Sequence, residues 1–490
     1  MPLLTVGYPV DLLRRMNTEN IALAVLDRAS KQPDALAFAM PGRSITYERA
    51  AALIVSFAAR MRDHGVSRES TVALAIKGLP TACIATLAVA LLGARWHRRA
   101  AAETGETHYF ATSDGDDLSF ATLIDRSWYE YEPLPGEKHP FAGHLHADDV
   151  WMTGESSGTT GTRKLMPITY GAVWRRIQIP ETQDDATAVT LDMFPPLSAH
   201  GARVNAGALV AGGTNLSQAT WEKLVELGIN RVTGSPSHVK SLIDRDSGDR
   251  RIRSIKVAGA SVSREFIANA LRHAEEVHLA YGATEVGAVA HHTITHVDQF
   301  DGSVGLPNEG AAFEIVDEAG RPMATGVEGV VRVRTRGMVG GYINEPELTA
   351  KVFRDGWFHP GDLGLIDAGG RLHITGRTNE VVNINGTKFN ATVFDEVVQQ
   401  HPGVSDGFCF VDTDANGTAM LCAIVSLQPG HERTSIEALG RATKEKLGFN
   451  IIRRAYVVES VPRNEGGKPM RAAAKELAGQ YEPIDIARLT

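Results

Sequence analysis

Cysteine is scarce in this sequence, with only Cys83, Cys409 and Cys422 in 490 residues. These three are far apart, odd in number and in neither CxxC nor metal-ligand spacing, so no disulfide framework and no zinc site is expected; a reducing cytoplasm fits this usage. Excess positive charge is missing too. The net charge of -8 is opposite in sign to the basic face that nucleic acid requires, which argues against a nucleic-acid binder. Long apolar runs are also absent. The longest, PTACIATLAVALLGA from Pro80 to Ala94, falls short of the roughly 20 residues that cross a bilayer and reads as a buried helix. The opening MPLLTVGYPVDLLRRMNTEN has no basic region leading into an apolar stretch, so no signal peptide is expected.

What is present describes an ordinary globular chain too long for one core, so two or more domains are expected. In the N-terminal part, β-rich runs (SITY, TVALAI, DDVWMTG, RSIKVAGA, EVHLAYG) alternate with helical stretches, one of which follows the capping residues of NTEN. Such alternation predicts a mostly parallel sheet covered by helices, with ligands at the carboxyl ends of its strands. From Phe313 to Arg336 the pattern changes to FEIVDEAGRPMATGVEGVVRVRTR, whose turn residues between alternating strands predict a small antiparallel region. Past HITGRTNEVVNINGTKF, about a hundred residues form a separate mixture of strands and amphipathic helices, enough for a small α+β domain. The expected fold class is therefore α/β with α+β. A large N-terminal domain, residues 1–376, carries parallel-rich sheets and the antiparallel region, and a small C-terminal domain spans residues 377–490.

The strongest local feature is ESSGTTGTRK, Glu155 to Lys164. The hydroxyls of Ser156, Ser157, Thr159 and Thr160, the amides freed by Gly158 and Gly161, and the compact charge of Lys164 suit phosphate oxygens. It is not a Walker A loop, because Lys164 is preceded by Arg163 and followed by Leu165. Further along stand FPPLSAHG (Phe194 to Gly201), VAGASV (Val257 to Val262), YGATE (Tyr281 to Glu285), GWFHPGDLG (Gly356 to Gly364), GRTNEVVNINGTKF and VPRNEGGKPMR. Taken singly, several of these are common turns or strand ends. The nearby HHTITH, with His291, His292 and His296, reads as packing or surface histidines rather than a metal site.

In this order, and over most of the chain, the set resembles the adenylate-forming superfamily, which includes acyl-CoA synthetases and other AMP-dependent carboxylate ligases. The resemblance implies ATP-dependent formation of an acyl-adenylate with release of pyrophosphate, then acyl transfer to coenzyme A. It also leaves open transfer to a carrier protein's phosphopantetheine thiol, or a degenerate protein that kept only the fold and its nucleotide site. By resemblance, Lys468, Thr160, Glu285 and His200 are the catalytic candidates, and Glu285 holds magnesium. The nucleotide falls to Ser156, Ser157, Gly158, Thr159, Thr160, Gly161 and Lys164, to Gly259, Ala260 and Ser261, to Tyr281, Gly282, Ala283 and Thr284, and to Asp362 and Arg377. Gly386 lines the path of the thiol, and the C-terminal domain is mobile about a hinge near Asn379. Ala199, His200, Gly282, Val286 and the stretch from Gly234 to His238 are expected to line the acid pocket. Arg163, Leu165, Pro360 and Asn379 depart from the usual pattern. Neither the acid nor the oligomeric state follows from the residues.

Overall fold

The structure is a computed structural model that describes residues 20–98, 108–112, 121–130, 145–157, 163–179, 186–244, 250–378, 381–384, 387–413, 419–447, 450–464 and 467–486. The helix over Ile21–Lys31 starts where the sequence supplies an oxygen for its orphan amides: Asn20 Oδ1 accepts from Ala22 N at 2.9 Å and Leu23 N at 3.4 Å. The same side chain donates to Ala90 O at 3.0 Å. That bond ties the cap to the helix over Leu79–Leu91, whose residues from Ala82 onward are all buried. The apolar run is thus a core helix, enclosed by protein on every side. No helix among the described residues is long and apolar enough to cross a membrane.

Nine strands form the largest sheet. Its central members, Ala274–Ala283, Ile252–Ala258, Arg231–Gly234, Val189–Asp192, Thr214–Leu216 and Leu36–Met40, are parallel to their neighbours in that spatial order. Antiparallel strands close both edges. A second, six-stranded sheet holds Thr71–Ala75, Arg95–Arg98 and Val150–Ser157 in parallel and ends in the antiparallel hairpin of Val150–Ser157 with Arg163–Thr169. The helices Ile21–Lys31, Tyr47–Asp63 and Leu79–Leu91 contribute the largest continuous core. The expected antiparallel region is present: Ala311–Val316 pairs Gly329–Thr335, which pairs Asp362–Ile366, which pairs Leu372–Arg377.

Beyond it, Val404–Thr413, Ala419–Leu427, Ile452–Val457 and Ile484–Asp485 make a four-stranded mixed sheet. Its two faces are buried by separate clusters, one around Phe394, Val398 and Ile436, the other around Phe408, Phe410 and Ala474. A module with its own core on both faces of its sheet matches the small α+β unit read from the sequence.

Candidate active site

Parallel strands expose their carboxyl ends along one rim, so the segments that follow Asp192, Gly234, Ala258 and Ala283 leave the sheet on the same side. Each is shaped by its own residues. After Asp192, the turn through Pro195 and Pro196 hands over to Ser198, whose Oγ donates to Pro195 O at 2.7 Å and accepts from Gly201 N at 3.0 Å. That cap starts the helix Ala199–Ala211 and places His200 in its first turn. Gly201 is obligatory here, since a Cβ would stand 2.2 Å from Pro195 O. Ser235 likewise caps the helix Pro236–Ile243, accepting from His238 N at 3.3 Å. The turn at Gly259 (φ +94°), Ala260 and Ser261 is exposed on the same rim.

YGATE leaves the strand through a register shift between Tyr281 and Gly282. Gly282 meets Gly287 O so closely that a Cβ would stand 2.0 Å from it. Glu285 follows in the turn beyond the strand and faces inward, where only 6% of its surface remains exposed. There Ser156 Oγ donates to Glu285 Oε1 at 2.9 Å, and Tyr342 Oη donates to the same oxygen at 2.8 Å. The buried guanidinium of Arg176 fixes the backbone below, donating to Glu285 O at 3.1 Å and to Gly337 O at 2.9 Å. Burial, helped by the Glu285 carboxylate, pushes the Tyr342 hydroxyl far above its usual pKa, so it remains a donor at any physiological pH.

Lys164 stands opposite Ser156 in the hairpin, its Nζ 5.3 Å from the centre of the Tyr342 ring. The segment read as one loop from Glu155 to Lys164 is therefore, at both ends, paired strand. The alternation of Ser and Thr hydroxyls suits strand as well as loop, and the sequence does not distinguish them. Gly158, Thr159, Thr160 and Gly161, which join the two strands, lie outside the described residues, as do Asn379 and Gly386.

A second cluster forms on Asp362, which is buried. Tyr281 Oη donates to Oδ2 at 2.6 Å and Arg377 Nε to Oδ1 at 2.8 Å. Asp362 and Arg377 are cross-strand partners, so the sheet register itself holds the pair. Burial and the adjacent Asp362 raise the Tyr281 pKa. The structure thus gathers Ser156, Lys164 and Glu285 in one cluster and Tyr281, Asp362 and Arg377 in another, with Tyr281 on the strand and Glu285 in the turn that follows it. His291 and His292 are taken up elsewhere, bonded to Asn308 and Ser303.

The third cluster is aromatic. Phe194 packs against the His200 ring at 4.3 Å and the His238 ring at 5.7 Å between centroids. His200 Nε2 and His238 Nδ1 are both sealed from solvent without a hydrogen-bond partner among the described residues. Burial lowers the pKa of both, and for His200 the charges of Arg203 and Lys256 add to it. The sign follows. The unfolded chain takes up protons near 6.5 and these folded rings do not, so stability falls as pH drops below about 6.5. His200→Phe, which keeps a ring on Phe194, is expected to flatten the acid side of a Tm-against-pH curve; an unchanged slope would show that His200 contributes nothing to it.

Lys468 is carried by a short loop of the C-terminal module closed by a bridge between Arg463 and Pro469. Arg463 anchors that loop to Asp406 through paired bonds of 2.7 and 2.6 Å and donates to Gly467 O at 2.9 Å. Gly467 (φ +77°) lies against the rim of the large sheet, so close that a Cβ would stand 2.7 Å from both Ser235 Oγ and Ser237 Oγ. The exposed Lys468 side chain therefore belongs to a loop seated against Ser237, the residue before His238. Tyr342 and Arg176 went unnoticed in the sequence, where Ser235 and Ser237 were read only as part of the pocket stretch Gly234 to His238. Tyr342 and Arg176 lie in segments with no chemical signature of their own; an arginine within the otherwise apolar face of YGAVWRRI was the one available hint.

A family profile described as "AMP-binding enzyme" matches residues 25–106 and 96–343. The chain belongs to this family. The resemblance drawn from the motifs is thereby borne out. This AMP-binding enzyme is 26% identical to an oxalate–CoA ligase of Arabidopsis thaliana over 93% of its own length and 98% of that protein's. It is 24% identical to an indoleacetate–CoA ligase of Aromatoleum aromaticum over the same shares. Its fold is that of the ATP-bound MatB of Rhodopseudomonas palustris, with a TM-score of 0.80, 20% identity and coverage of 94% and 98% of the two chains. The o-succinylbenzoate CoA synthetase of Bacillus subtilis, in complex with its acyl-adenylate intermediate, aligns with a TM-score of 0.80 at 18% identity over 92% and 97%. Both share a large N-terminal and a small C-terminal domain with this AMP-binding enzyme, which is the expected fold class.

The AMP-binding enzyme's donor set also suits a magnesium ion. Both bonds to the Glu285 carboxylate end on Oε1. Among the described residues Oε2 accepts none, leaving a hard, nearly buried oxygen of the kind magnesium selects.

Proposed function

We propose that this chain is an AMP-forming carboxylate–CoA ligase. One observation carries the reading: the contact of Gly467 with Ser235 and Ser237 brings the lysine-bearing loop of the small module to the rim that holds His200, Glu285 and Tyr281. A carboxylate oxygen attacks the α-phosphorus of ATP, the new O–P bond forms as the bond to pyrophosphate breaks, and two anions must meet for this to happen. A cation between them, Lys468, offsets their repulsion and the charge that grows on phosphate oxygens. Ser156, Ser157 and Lys164 hold the departing pyrophosphate, together with the connecting Gly158, Thr159, Thr160 and Gly161. The Tyr342 ring keeps the Lys164 ammonium in place. Asp362, oriented by Tyr281 and Arg377, accepts the ribose hydroxyls. The base lies against Gly259, Ala260 and Ser261 on one side and Tyr281, Gly282 and Ala283 on the other, with Thr284 toward phosphate. A magnesium ion on Glu285 supplies further positive charge to the phosphates when bound.

The small module then turns about Asn379, withdrawing Lys468 and bringing Gly386 toward the acyl-adenylate, where the thiol attacks the acyl carbon and AMP leaves. Relatives named as CoA ligases across almost the whole chain support coenzyme A as the thiol. The test is acid-dependent exchange of labelled pyrophosphate into ATP across short, long, aromatic, hydroxy and amino acids, followed by AMP release with and without coenzyme A. Exchange with at least one acid, and AMP release accelerated by coenzyme A, are expected. Failure with every acid would leave a nucleotide-binding protein without ligase activity.

A further inference from the structure

We propose that Arg463 is a positioning residue for adenylation, acting through Lys468 by fixing the peptide unit on which that lysine stands. The proposal rests on the ligase reading above and extends it to a residue that serves the catalytic cation. It begins from one peptide unit. The carbonyl of Gly467 and the amide of Lys468 belong to the same plane, and the side chains of two adjacent residues hold its two ends. Arg463 Nη1 donates to Gly467 O at 2.9 Å, and Lys468 N donates to Asn464 Oδ1 at 3.0 Å. With both ends of the plane held, its rotation is opposed, and the direction in which the lysine leaves the backbone is set.

The guanidinium is itself immobilised. Its Nε and Nη2 donate to the two oxygens of Asp406 at 2.7 and 2.6 Å, a fork that arginine supplies and lysine does not. Its Cζ lies 5.4 Å from the centre of the Phe408 ring, which is fully buried. Arg471, at the far end of the segment, stands on the same ring at 5.8 Å and pairs with Asp395 at 2.8 Å. The segment that carries Lys468 therefore has both feet on one buried aromatic of the strand Val404–Thr413.

That strand is the terminal one of its sheet, and the backbone groups of an open edge need partners. Other residues meet the outward groups at Gly407 and Cys409. Cys409 N donates to Asp395 Oδ1 at 2.6 Å, Arg471 donates to Cys409 O, and Gln399 Nε2 donates to Gly407 O at 3.2 Å. Arg463 Nη2 comes only within 3.5 Å of Gly407 O. Covering the edge therefore does not account for the arm that Arg463 extends to the peptide of the lysine. The same Gly467 is the point at which the small module meets Ser235 and Ser237. Guanidinium and serine pair thus hold one residue, and Lys468 follows it directly in the chain.

The experiment measures pyrophosphate exchange, single-turnover thioester formation from supplied acyl-adenylate, and melting temperature. The variants are Arg463→Met, Arg463→Lys and Asn464→Ala, each alone and combined with Lys468→Ala. Arg463→Met is expected to lower kcat for exchange about a hundredfold, the cost of misplacing a catalytic group by about 1 Å. The KM values for ATP and acid, and thioester formation, should stay within a few fold. Arg463→Lys, which keeps the charge but not the fork, should recover part of the loss. Asn464→Ala, which frees the other end of the same peptide, should repeat the pattern on a smaller scale. On the Lys468→Ala background Arg463→Met should cost less than about threefold more, since no cation remains to be placed. An unchanged kcat, losses that multiply in the double variant, or equal losses in the two half-reactions would overturn the proposal while leaving the ligase reading intact. Exchange with no acid by the unaltered enzyme would instead overturn the ligase reading itself. Where Arg463→Met fails to fold, Asn464→Ala and its double variant decide the matter by the same comparison.

Discussion

Lys468→Ala is expected to lower acyl-adenylate formation about a thousandfold, the loss that follows removal of one preorganised charge or donor from a developing oxyanion, while thioester formation from supplied acyl-adenylate stays within a few fold. The split arises from where the residue stands. Lys468 is exposed on a loop held by bonds of its backbone: Lys468 N donates to Asn464 Oδ1 at 3.0 Å, Gly467 N to Asn464 O at 2.8 Å, and Asn464 N to Lys468 O at 3.0 Å. With Arg463 clamped on Asp406, the alanine variant keeps these loop bonds and loses the cation. Melting temperature should change little. Pyrophosphate exchange and single-turnover thioester formation, measured on one preparation, check the split. Equal losses in the two assays would show that Lys468 does not serve adenylation specifically.

Some of this was legible in the sequence because local chemistry writes it there. Runs ending in small residues, as in RSIKVAGA, are strands whose carboxyl ends form the rim, and the capping residues of NTEN mark a helix start by residue type alone. Glu285 and Asp362 were legible as candidates through the motifs around them. What holds them was not. Tyr342 comes 57 positions after Glu285 and Arg176 comes 109 before it. Nothing in either neighbourhood announces a partner, since such contacts depend on how separate sheets pack. The strand character of Ser156 and Lys164 escaped for a related reason: cross-strand pairing needs the partner strand, and a run of Ser, Thr and Gly serves a turn as well.

Gly467→Ala should lower adenylation about a hundredfold and leave thiol transfer nearly intact, although the substitution removes no charge and no hydrogen bond. Two separate effects act on it. The first is intrinsic: at φ +77° an alanine is strained by about 1–2 kcal/mol wherever the loop is. The second exists only when the small module is seated, because a Cβ would stand 2.7 Å from the hydroxyls of Ser235 and Ser237. Ser235 is fully buried, caps its helix and is bonded to Ser237 at 3.0 Å, so neither hydroxyl withdraws freely. The module must back away by a fraction of an ångström or more, and Lys468 moves with it. Misplacement of a catalytic group by about 1 Å is enough to cost a hundredfold in rate. On the proposed turn of the small module away from this rim for thiol transfer, the contact with Ser235 and Ser237 would be lost, and only the intrinsic strain would persist. Ser237→Ala in the same chain removes one of the two opposing oxygens, and partial recovery of pyrophosphate exchange in the double variant is expected as a positive coupling between residues of different modules. Loop strain alone predicts no such recovery and comparable losses in both half-reactions, and that result would refute the seating of Gly467 on the serine pair as the arrangement that adenylates.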